Sequence, residues 1–375
     1  MKRGFFLFLS TLLFCLSAGQ VIYGISRYIR SPLVDFEVYY RAGNFFLAGK
    51  NPYTPLFEPM PLNYPPSSLP FFSLWSLLPY QNAQLFFTVA SFVFFLASCF
   101  LLLYRLKVNK ALILLILALF SQAFPLKFTL VLGQVNLVLL GFIIFAFLFN
   151  WDGKKIFAGF LWGLASGIKL TPLSLAVYFI IKKDWQTLVS GITTFVLLNL
   201  ATILHIPDSL SYFTIRLPQL LTLSQPPDSY YNQSLKIFFQ RLALPSPGFL
   251  AALAVILLLL FTVQKYHRNQ TASGKSNHRL INDLNFYSSV LILSVIGQSV
   301  AWQHHFVLTF PGFISAAVLI HKKRSLTGFL ILILSAILIG YRFPELTYSS
   351  IIDMIMQSYT LIGSIILFLL LLKIY

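Results

Sequence analysis

Asp35, Lys169 and the pair His304-His305 are the side chains of this sequence best suited to acid–base and anion chemistry, and each stands at the edge of an apolar run. Only 10 of the 375 residues are Asp or Glu. An ionisable residue beside a membrane segment is energetically expensive and is a functional candidate by default. Asp35-Phe36-Glu37-Val38-Tyr39-Tyr40 follows the first hydrophobic run almost directly. A carboxylate at that depth can touch a lipid-borne substrate and still reach water. Lys169, His304 and His305 are cations or hydrogen-bond donors for a developing anion, with Arg216 and Arg241 as further candidates. The amides Gln134, Asn136, Asn232 and Gln233 and the aromatic Tyr39, Tyr64 and Trp302 could line such a site.

Each of these has a plainer use. Asp35 can be a solvated loop acid, and Gln134 and Asn136 can be hydrogen-bonding glue between helices. Lys169 can snorkel to an interface. Trp302 with its histidines can edge an aromatic belt. Adjacent histidines point to different faces of a helix, which makes them a poor metal site. In a regular helix Gln298, Trp302 and His305 share one face, favouring His305 as the inward-facing member. Glu37 is the local competitor of Asp35, but in an extended segment alternation turns it the other way.

The elements that position these residues follow from composition. The sequence is 58% hydrophobic and 10% charged, outside the range of soluble domains. Runs such as Leu250–Phe261 and Ile365–Leu372 lack the period-2 alternation of barrel strands, so the fold class is an all-α polytopic membrane protein. Spans are expected at roughly 4–25, 83–105, 110–125, 130–150, 155–167, 170–181, 186–204, 248–265, 285–302, 305–320, 326–341 and 356–372, or about 10–12 transmembrane helices. With the N-terminus inside, 17 of the 27 basic residues fall on the cytoplasmic side, clustered in short loops. The net charge of +17 is thus mainly a topology signal and not a nucleic-acid surface. Both termini are expected in the cytoplasm. Met1-Lys2-Arg3 and the following apolar run read as a retained signal-anchor helix. Cys15 and Cys99 both lie in expected spans and imply no disulfide.

Residues 1–375 read as a single transmembrane domain with outer loops at about 26–82 and 205–247 and a polar, disordered inner loop at about 266–283. Ser67–Leu78 is expected to form a short interfacial helix. The stretch Ile156–Ile181 has lysines at both ends and is too short for two ordinary spans. It suits two short helices or a re-entrant hairpin with Lys169 near the apex. Gly159, Gly163 and Gly167 would line one face of its first helix for close packing. On this topology Asp35, Tyr64, Gly133–Asn136, Lys169, Asn232–Ser234 and Trp302–His305 all fall toward the outer face.

In order and rough spacing, these stretches resemble glycosyltransferase family 87, the polyprenyl-phosphate-mannose-dependent mannosyltransferases of the GT-C class. The matching stretches are Asp35-Phe36-x-x-Tyr39-Tyr40, Gly49-x-Asn51-Pro52-Tyr53, Asn63-Tyr64-Pro65-Pro66, Gly133-Gln134-x-Asn136, Gly163-Leu164-Ala165-x-x-x-Lys169-x-x-Pro172, Asn232-Gln233-Ser234 and Trp302-x-His304-His305. The resemblance implies a GT-C-like fold in the cell membrane and an active site on the outer face. It also implies an inverting transfer of a hexose, mannose foremost, from a polyprenyl-phosphate sugar to a glycolipid or glycan acceptor. The family's essential Asp maps onto Asp35 as base. No cofactor is implied, and no Asp-x-Asp is present that would hold a metal with a diphosphate, so metal independence is expected. Membrane lipid is the only other partner, and nucleic acid is not one. A transporter or flippase of lipid-linked glycans, and an O-antigen ligase or polymerase, are the alternatives. A transporter should show internal repeats and midplane polar residues, and neither is apparent.

Overall fold

A computed structural model describes residues 2–54, 57, 60–272, 276–346 and 350–374. In chain order the helices are α1 (Lys2–Tyr28), α2 (Val34–Leu47), α3 (Leu69–Ser76), α4 (Tyr80–Arg105), α5 (Lys110–Gln122) and α6 (Phe124–Leu132). There follow α7 (Asn136–Trp151), α8 (Lys155–Ile168), α9 (Ala176–Ile181), α10 (Trp185–His205), α11 (Leu217–Thr222) and α12 (Leu235–Arg241). The last are α13 (Pro247–Ala272), α14 (Ser276–Ile296), α15 (Phe310–Lys323), α16 (Leu326–Gly340), α17 (Ile351–Gln357) and α18 (Tyr359–Ile374). Among the described residues the only strand-like pairing is one isolated bridge, Asn232 with Trp302.

Among the described residues, five helical segments are long and apolar enough to cross a membrane: Gly4–Tyr28, Tyr80–Arg105, Trp185–His205, Pro247–Arg268 and Gln303–Lys323. The pairs α5–α6, bent by 56°, and α17–α18, bent by 64°, raise the number to seven if each is one span. Asn136–Trp151, Lys155–Ile168, Thr171–Ile181 and Leu326–Gly340 are apolar but shorter. The protein is an all-α polytopic membrane protein.

Several expected boundaries change. The Asp35 segment is not extended: it is the first turn of α2, whose buried residues Phe36, Val38, Tyr39, Ala42 and Gly43 recur with helical spacing. The expected spans at 110–125 and 130–150 become three helices with a break at Gly133–Val135. The expected helix over 285–302 stops at Ile296, so Gln298, Trp302 and His305 share no helix face. Trp302 has extended backbone, and Gln303–Thr309 is a 3₁₀ turn leading into α15. The inner loop is helical where it is described: α13 runs on to Ala272 and α14 begins at Ser276, with 273–275 outside the described residues. The outer loop at 205–247 carries a 3₁₀ turn at Pro207–Leu210, a π-helical turn at Tyr212–Arg216, α11 and α12.

The chain forms two compact units. One, the Asp35 unit, comprises Leu16–Cys99 and Phe128–Thr222. Its tightest helix pair is α8 on α10. A Cβ at Gly163 would stand 2.5 Å from the Gly191 carbonyl oxygen, and one at Gly159 would stand 2.5 Å from that of Thr187. The every-fourth-residue glycines therefore do bring two backbones together. Trp162 donates its indole N–H to the Pro172 carbonyl (2.7 Å) and ties α8 to the 3₁₀ turn at Thr171–Leu175. At the other end Asp184 caps α10 and accepts from Lys155 (2.8 Å) and from Asn150.

The other, the Trp302 unit, comprises Met1–Cys15, Phe100–Lys127 and Leu223–Tyr375. There Ser335 donates to the Gly363 carbonyl (2.8 Å) between α16 and α18. Asn285 joins α14 to α18 by donating to Leu371 O (3.0 Å) and to α15 by accepting from Ser315 (2.8 Å). Buried amides and hydroxyls that bridge helices in this way satisfy each other where water is absent.

Candidate active site

In the Asp35 unit the site begins with a clamp that the sequence reading passed over. Gln84, in the first turns of α4, accepts from the Leu33 N–H (2.9 Å) and donates to the Ile29 and Ser31 carbonyls, both at 3.1 Å. The chain entering α2 is thereby held at its N-terminus. Gly133 then lets the α6–α7 break lie directly against that turn. It has φ +70°, and a Cβ there would stand 2.7 Å from that of Phe36. Only glycine combines this conformation with this approach. An amide at a span's first turn was the one available sign of Gln84's role.

The break delivers Gln134 to Asp35. The Gln134 side chain hydrogen-bonds the Asp35 carboxylate. Its Oε1 accepts from Tyr39 (2.8 Å) and Tyr64 (3.1 Å). Tyr39 stacks on Phe72 with ring centroids 4.5 Å apart and planes 7° from parallel, while Tyr64 meets Tyr39 edge-on at 5.1 Å. These two phenols were expected to line the site directly. Both are buried, and they orient Gln134 instead.

Lys169 completes the cluster. It follows α8 with extended backbone, donates to Asn136 Oδ1 (3.1 Å), and its charge acts on Asp35. The position is fixed from the 3₁₀ turn at Pro66–Ser68. Ser67 donates its hydroxyl to the Gly167 carbonyl (2.7 Å), and its N–H to Asn199 Oδ1 (3.2 Å). Asp35, Tyr39, Tyr64, Gln134, Asn136 and Lys169, expected from separate stretches of sequence, thus lie together.

α2 is not among the spanning helices, and Asp35 on its first turn remains partly exposed. Burial pushes its carboxyl up to about 6, although the Gln134 hydrogen bond and the Lys169 charge pull the other way. Desolvation wins, which leaves a carboxyl poised near neutrality, as a general base requires. Glu37 has a different fate: it pairs with Arg41 at 2.6 Å, four residues along the same helix. Helical geometry, not strand alternation, turns it away.

A wall beside this cluster joins residues 51–64 to residues 208–219. Tyr53 donates to Tyr64 O (2.8 Å) and packs on Tyr212 at 5.3 Å, and Asn51 donates to Asp208 O (3.1 Å). Arg216 reaches Asn63 Oδ1 through both Nε and Nη2, and Gln219 through Nη1. A guanidinium held only by amide oxygens keeps its full charge for an anion.

In the Trp302 unit, Tyr230–Ser234 and Ala301–Gln303 run side by side. Gln233 N donates to Ala301 O (2.8 Å) and Gln303 N to Tyr231 O (3.1 Å). Asn232 Oδ1 accepts from Ser234 N and Ala301 N. Gln233 donates to Tyr230 O and Gln357 O and accepts from Thr360 N and Leu361 N. Both amides are engaged in building the clasp. Arg241 is likewise taken up, by Pro227 O, Ser229 O, Asn232 O and Ser358 Oγ. His304 and His305 are buried on the 3₁₀ turn, with rings edge to face at 4.6 Å. Trp302 stays partly exposed. Among the described residues no three His, Cys, Asp or Glu side chains gather as a metal site needs.

The sequence profile of glycosyltransferase family 87 matches residues 62–294, an interval that holds Tyr64, Gln134, Asn136, Lys169, Asn232 and Gln233 and begins after Asp35. The chain is 26% identical over 323 residues to the polyprenol-phosphate-mannose-dependent alpha-(1-2)-phosphatidylinositol mannoside mannosyltransferase of Mycolicibacterium smegmatis, covering 78% of this chain and 71% of that protein. It is 22% identical over 319 residues to the Mycobacterium tuberculosis protein of the same name, covering 78% and 72%. An alpha-(1->3)-arabinofuranosyltransferase of Mycobacterium tuberculosis is 27% identical over 212 residues, covering 54% and 47%. No solved structure matches the chain. With well over half of its length matched, the chain belongs to glycosyltransferase family 87 and is a membrane glycosyltransferase.

Proposed function

We propose that the enzyme transfers a hexose, with mannose the first choice, from a polyprenyl-phosphate sugar to a hydroxyl of a glycolipid or glycan acceptor, with inversion at the anomeric carbon. The observation that carries this reading is the setting of Asp35. It is a partly buried carboxylate raised toward neutrality, hydrogen-bonded to Gln134 and within the field of Lys169. Two mannosyltransferase relatives whose names specify a polyprenol-phosphate-mannose donor support the choice of donor.

In the proposed step the acceptor oxygen attacks the anomeric carbon while its proton passes to Asp35. The bond from that carbon to the phosphate oxygen breaks, and the electron pair leaves with the polyprenyl phosphate, which gains one negative charge. Lys169 lies in the same cluster and is assigned to answer that charge, with Arg216 assigned to assist. Transition-state stabilisation of this kind acts where charge develops and is strongest in a partly desolvated site. Asn136 holds the Lys169 ammonium in place.

The lysine-rich short loops support an orientation with both termini in the cytoplasm and the Asp35 cluster on the outer face of the cell membrane. The transporter and ligase readings have no observation here that favours them. The test is transfer by the purified protein of label from polyprenyl-phosphate mannose to acceptors in a membrane extract. Asp35→Asn is expected to abolish transfer while leaving the fold intact. Wild-type turnover in Asp35→Asn would remove the base assignment, and no consumption of the donor with any acceptor would remove the donor.

A further inference from the structure

We propose that Trp302, Tyr231 and Arg342 form a subsite for a sugar phosphate carried on a lipid. Its choice of ligand class rests on the reading above, but its geometry stands apart from the Asp35 cluster and lies wholly within the Trp302 unit.

Arg342 follows α16 on an exposed loop. Its guanidinium lies 6.0 Å from the ring centroids of Tyr230 and Tyr231 and 5.8 Å from that of Phe124, and it donates to the Tyr231 hydroxyl at 3.3 Å. The guanidinium bonds the Tyr231 hydroxyl and the Tyr230 side chain, and as an exposed group with five N–H donors it has further donors to offer. Its planar fork is the part that matches two phosphate oxygens at once. Tyr231 and Trp302, both partly exposed, stand beside it with ring centroids 6.2 Å apart. Paired aromatic faces of this kind accept the apolar C–H face of a hexose.

An interfacial belt would also use Tyr, Trp and Arg, but a belt asks only that such side chains reach the lipid headgroups. Here the three are locked. The Asn232–Trp302 bridge fixes Tyr231 against Trp302. The Gln233 N–H and both hydrogen bonds accepted by Asn232 Oδ1 go into that pairing, and the Gln233 side chain ties it to residues 357–361. The Arg342 loop is joined to the same segment, because the Tyr230 hydroxyl donates to the carbonyl of Phe343. Rigid presentation of two aromatic faces and one cation lowers the entropy lost on binding, which serves recognition and is not needed for anchoring.

Two lipid-borne ligands carry this chemistry: a prenyl-phosphate sugar and a phosphoinositol-linked glycolipid. The full chain is placed in nanodiscs of neutral lipid. It is titrated calorimetrically with short-chain prenyl-phosphate mannose, the matching prenyl mannoside without phosphate, and a phosphatidylinositol mannoside. Arg342→Gln is expected to weaken at least one phosphate-bearing ligand on the order of tenfold and to leave the phosphate-free mannoside unchanged. Loss for the prenyl phosphate assigns the subsite to the donor, and loss for the phosphoinositol ligand assigns it to the acceptor. Tyr231→Phe keeps both rings, frees Arg342 from its hydroxyl, and is expected to act in the same direction by a few-fold. Wild-type affinity for both phosphate ligands in Arg342→Gln overturns the proposal. Binding is read without turnover. Arg342-dependent binding with no transfer therefore keeps the subsite and removes the reaction, whereas transfer with unaltered affinities does the reverse.

Discussion

Tyr39 and Tyr64 bring their hydroxyls to 2.6 Å and direct both at one oxygen of Gln134. Two phenol donors on that oxygen fix the orientation of the amide, so its nitrogen faces Asp35 as a donor. Placing a carboxylate there tests the arrangement. In Gln134→Glu the phenols hold one oxygen and the other confronts Asp35 as an anion. A like charge at that distance raises the Asp35 pKa further. The acid limb of kcat/KM should then move to higher pH than in the wild type, with activity at neutral pH falling. An unmoved limb means that Gln134 does not donate to Asp35.

The wild-type limb follows from the environment of Asp35 alone. Burial lifts the carboxyl to about 6, and the base is the deprotonated form. The kcat/KM value should fall about tenfold per unit below that pH, and fall again above about 7, the value to which burial lowers the Lys169 ammonium. The linkage to stability has the opposite sign. A carboxyl whose pKa is raised by folding is ionised at a cost at neutral pH, and that cost shrinks as pH falls below about 6 and is gone below the unfolded value of 3.8. Asp35→Asn should therefore melt no lower than the wild type at pH 7 while losing transfer. A melting temperature well below the wild type would mean that the charge stabilises the fold, against this account.

How much of this was readable beforehand can be judged from particular residues. Lysines bracketing Ile156–Ile181 and glycines every fourth residue predicted short paired helices with Lys169 at their turn, because charge and residue size are local properties. The cluster around Asp35 was readable as a set, since polar side chains beside apolar runs are conspicuous. What failed was conformation decided by distant partners. Phe36, Tyr39, Ala42 and Gly43 already carried a helical period, yet the flanking segment read as extended. The Gln84 clamp on Leu33, which starts α2, spans 51 residues of sequence. The helix expected through Trp302 is interrupted because Ala301 and Gln303 pair with Gln233 and Tyr231, some 70 residues upstream. Arg342 carried no local signal at all, since its setting is made by residues near 124 and 231.

Packing of α8 on α10 offers a control for effects at a distance from the chemistry. Gly163 leaves no room for a side chain against the Gly191 carbonyl and Thr194. Gly163→Val should destabilise the protein by about 1–3 kcal/mol and reduce turnover, because α8 carries Lys169 at its end. The acid limb should stay near 6 in whatever fraction remains folded. A wild-type melting curve for Gly163→Val would mean that the two helices are less tightly apposed than they stand here.

Metal removal separates this chemistry from that of nucleotide-sugar enzymes. The proposed leaving group is a lipid monophosphate, and the chain has no Asp-x-Asp to hold a cation against a diphosphate. Lys169 and Arg216 supply fixed positive charge in its place. Initial rates should be unchanged within a factor of two by excess EDTA, and unchanged on adding Mg²⁺ or Mn²⁺ afterwards. Loss of transfer with EDTA that a divalent cation restores would contradict the proposed charge balance.

Lys169 acts on both partners of the proposed transfer, and the two effects can be told apart. Toward Asp35 it lowers the pKa through its charge, so its removal should shift the acid limb to higher pH. Toward the donor it meets the charge that grows on the phosphate, so its removal should lower kcat by roughly 100-fold or more. Lys169→Met removes both effects at nearly constant length. Lys169→Arg keeps the charge but replaces a compact ammonium with a planar fork, which suits a phosphate but fits poorly against Asn136. The expected pattern is a limb restored toward 6 in Lys169→Arg with kcat only partly recovered. If Lys169→Met lowers kcat without moving the limb, Lys169 serves the leaving group alone. If it moves the limb while kcat at high pH stays at the wild-type value, Lys169 only tunes Asp35, and the phosphate must be met by Arg216.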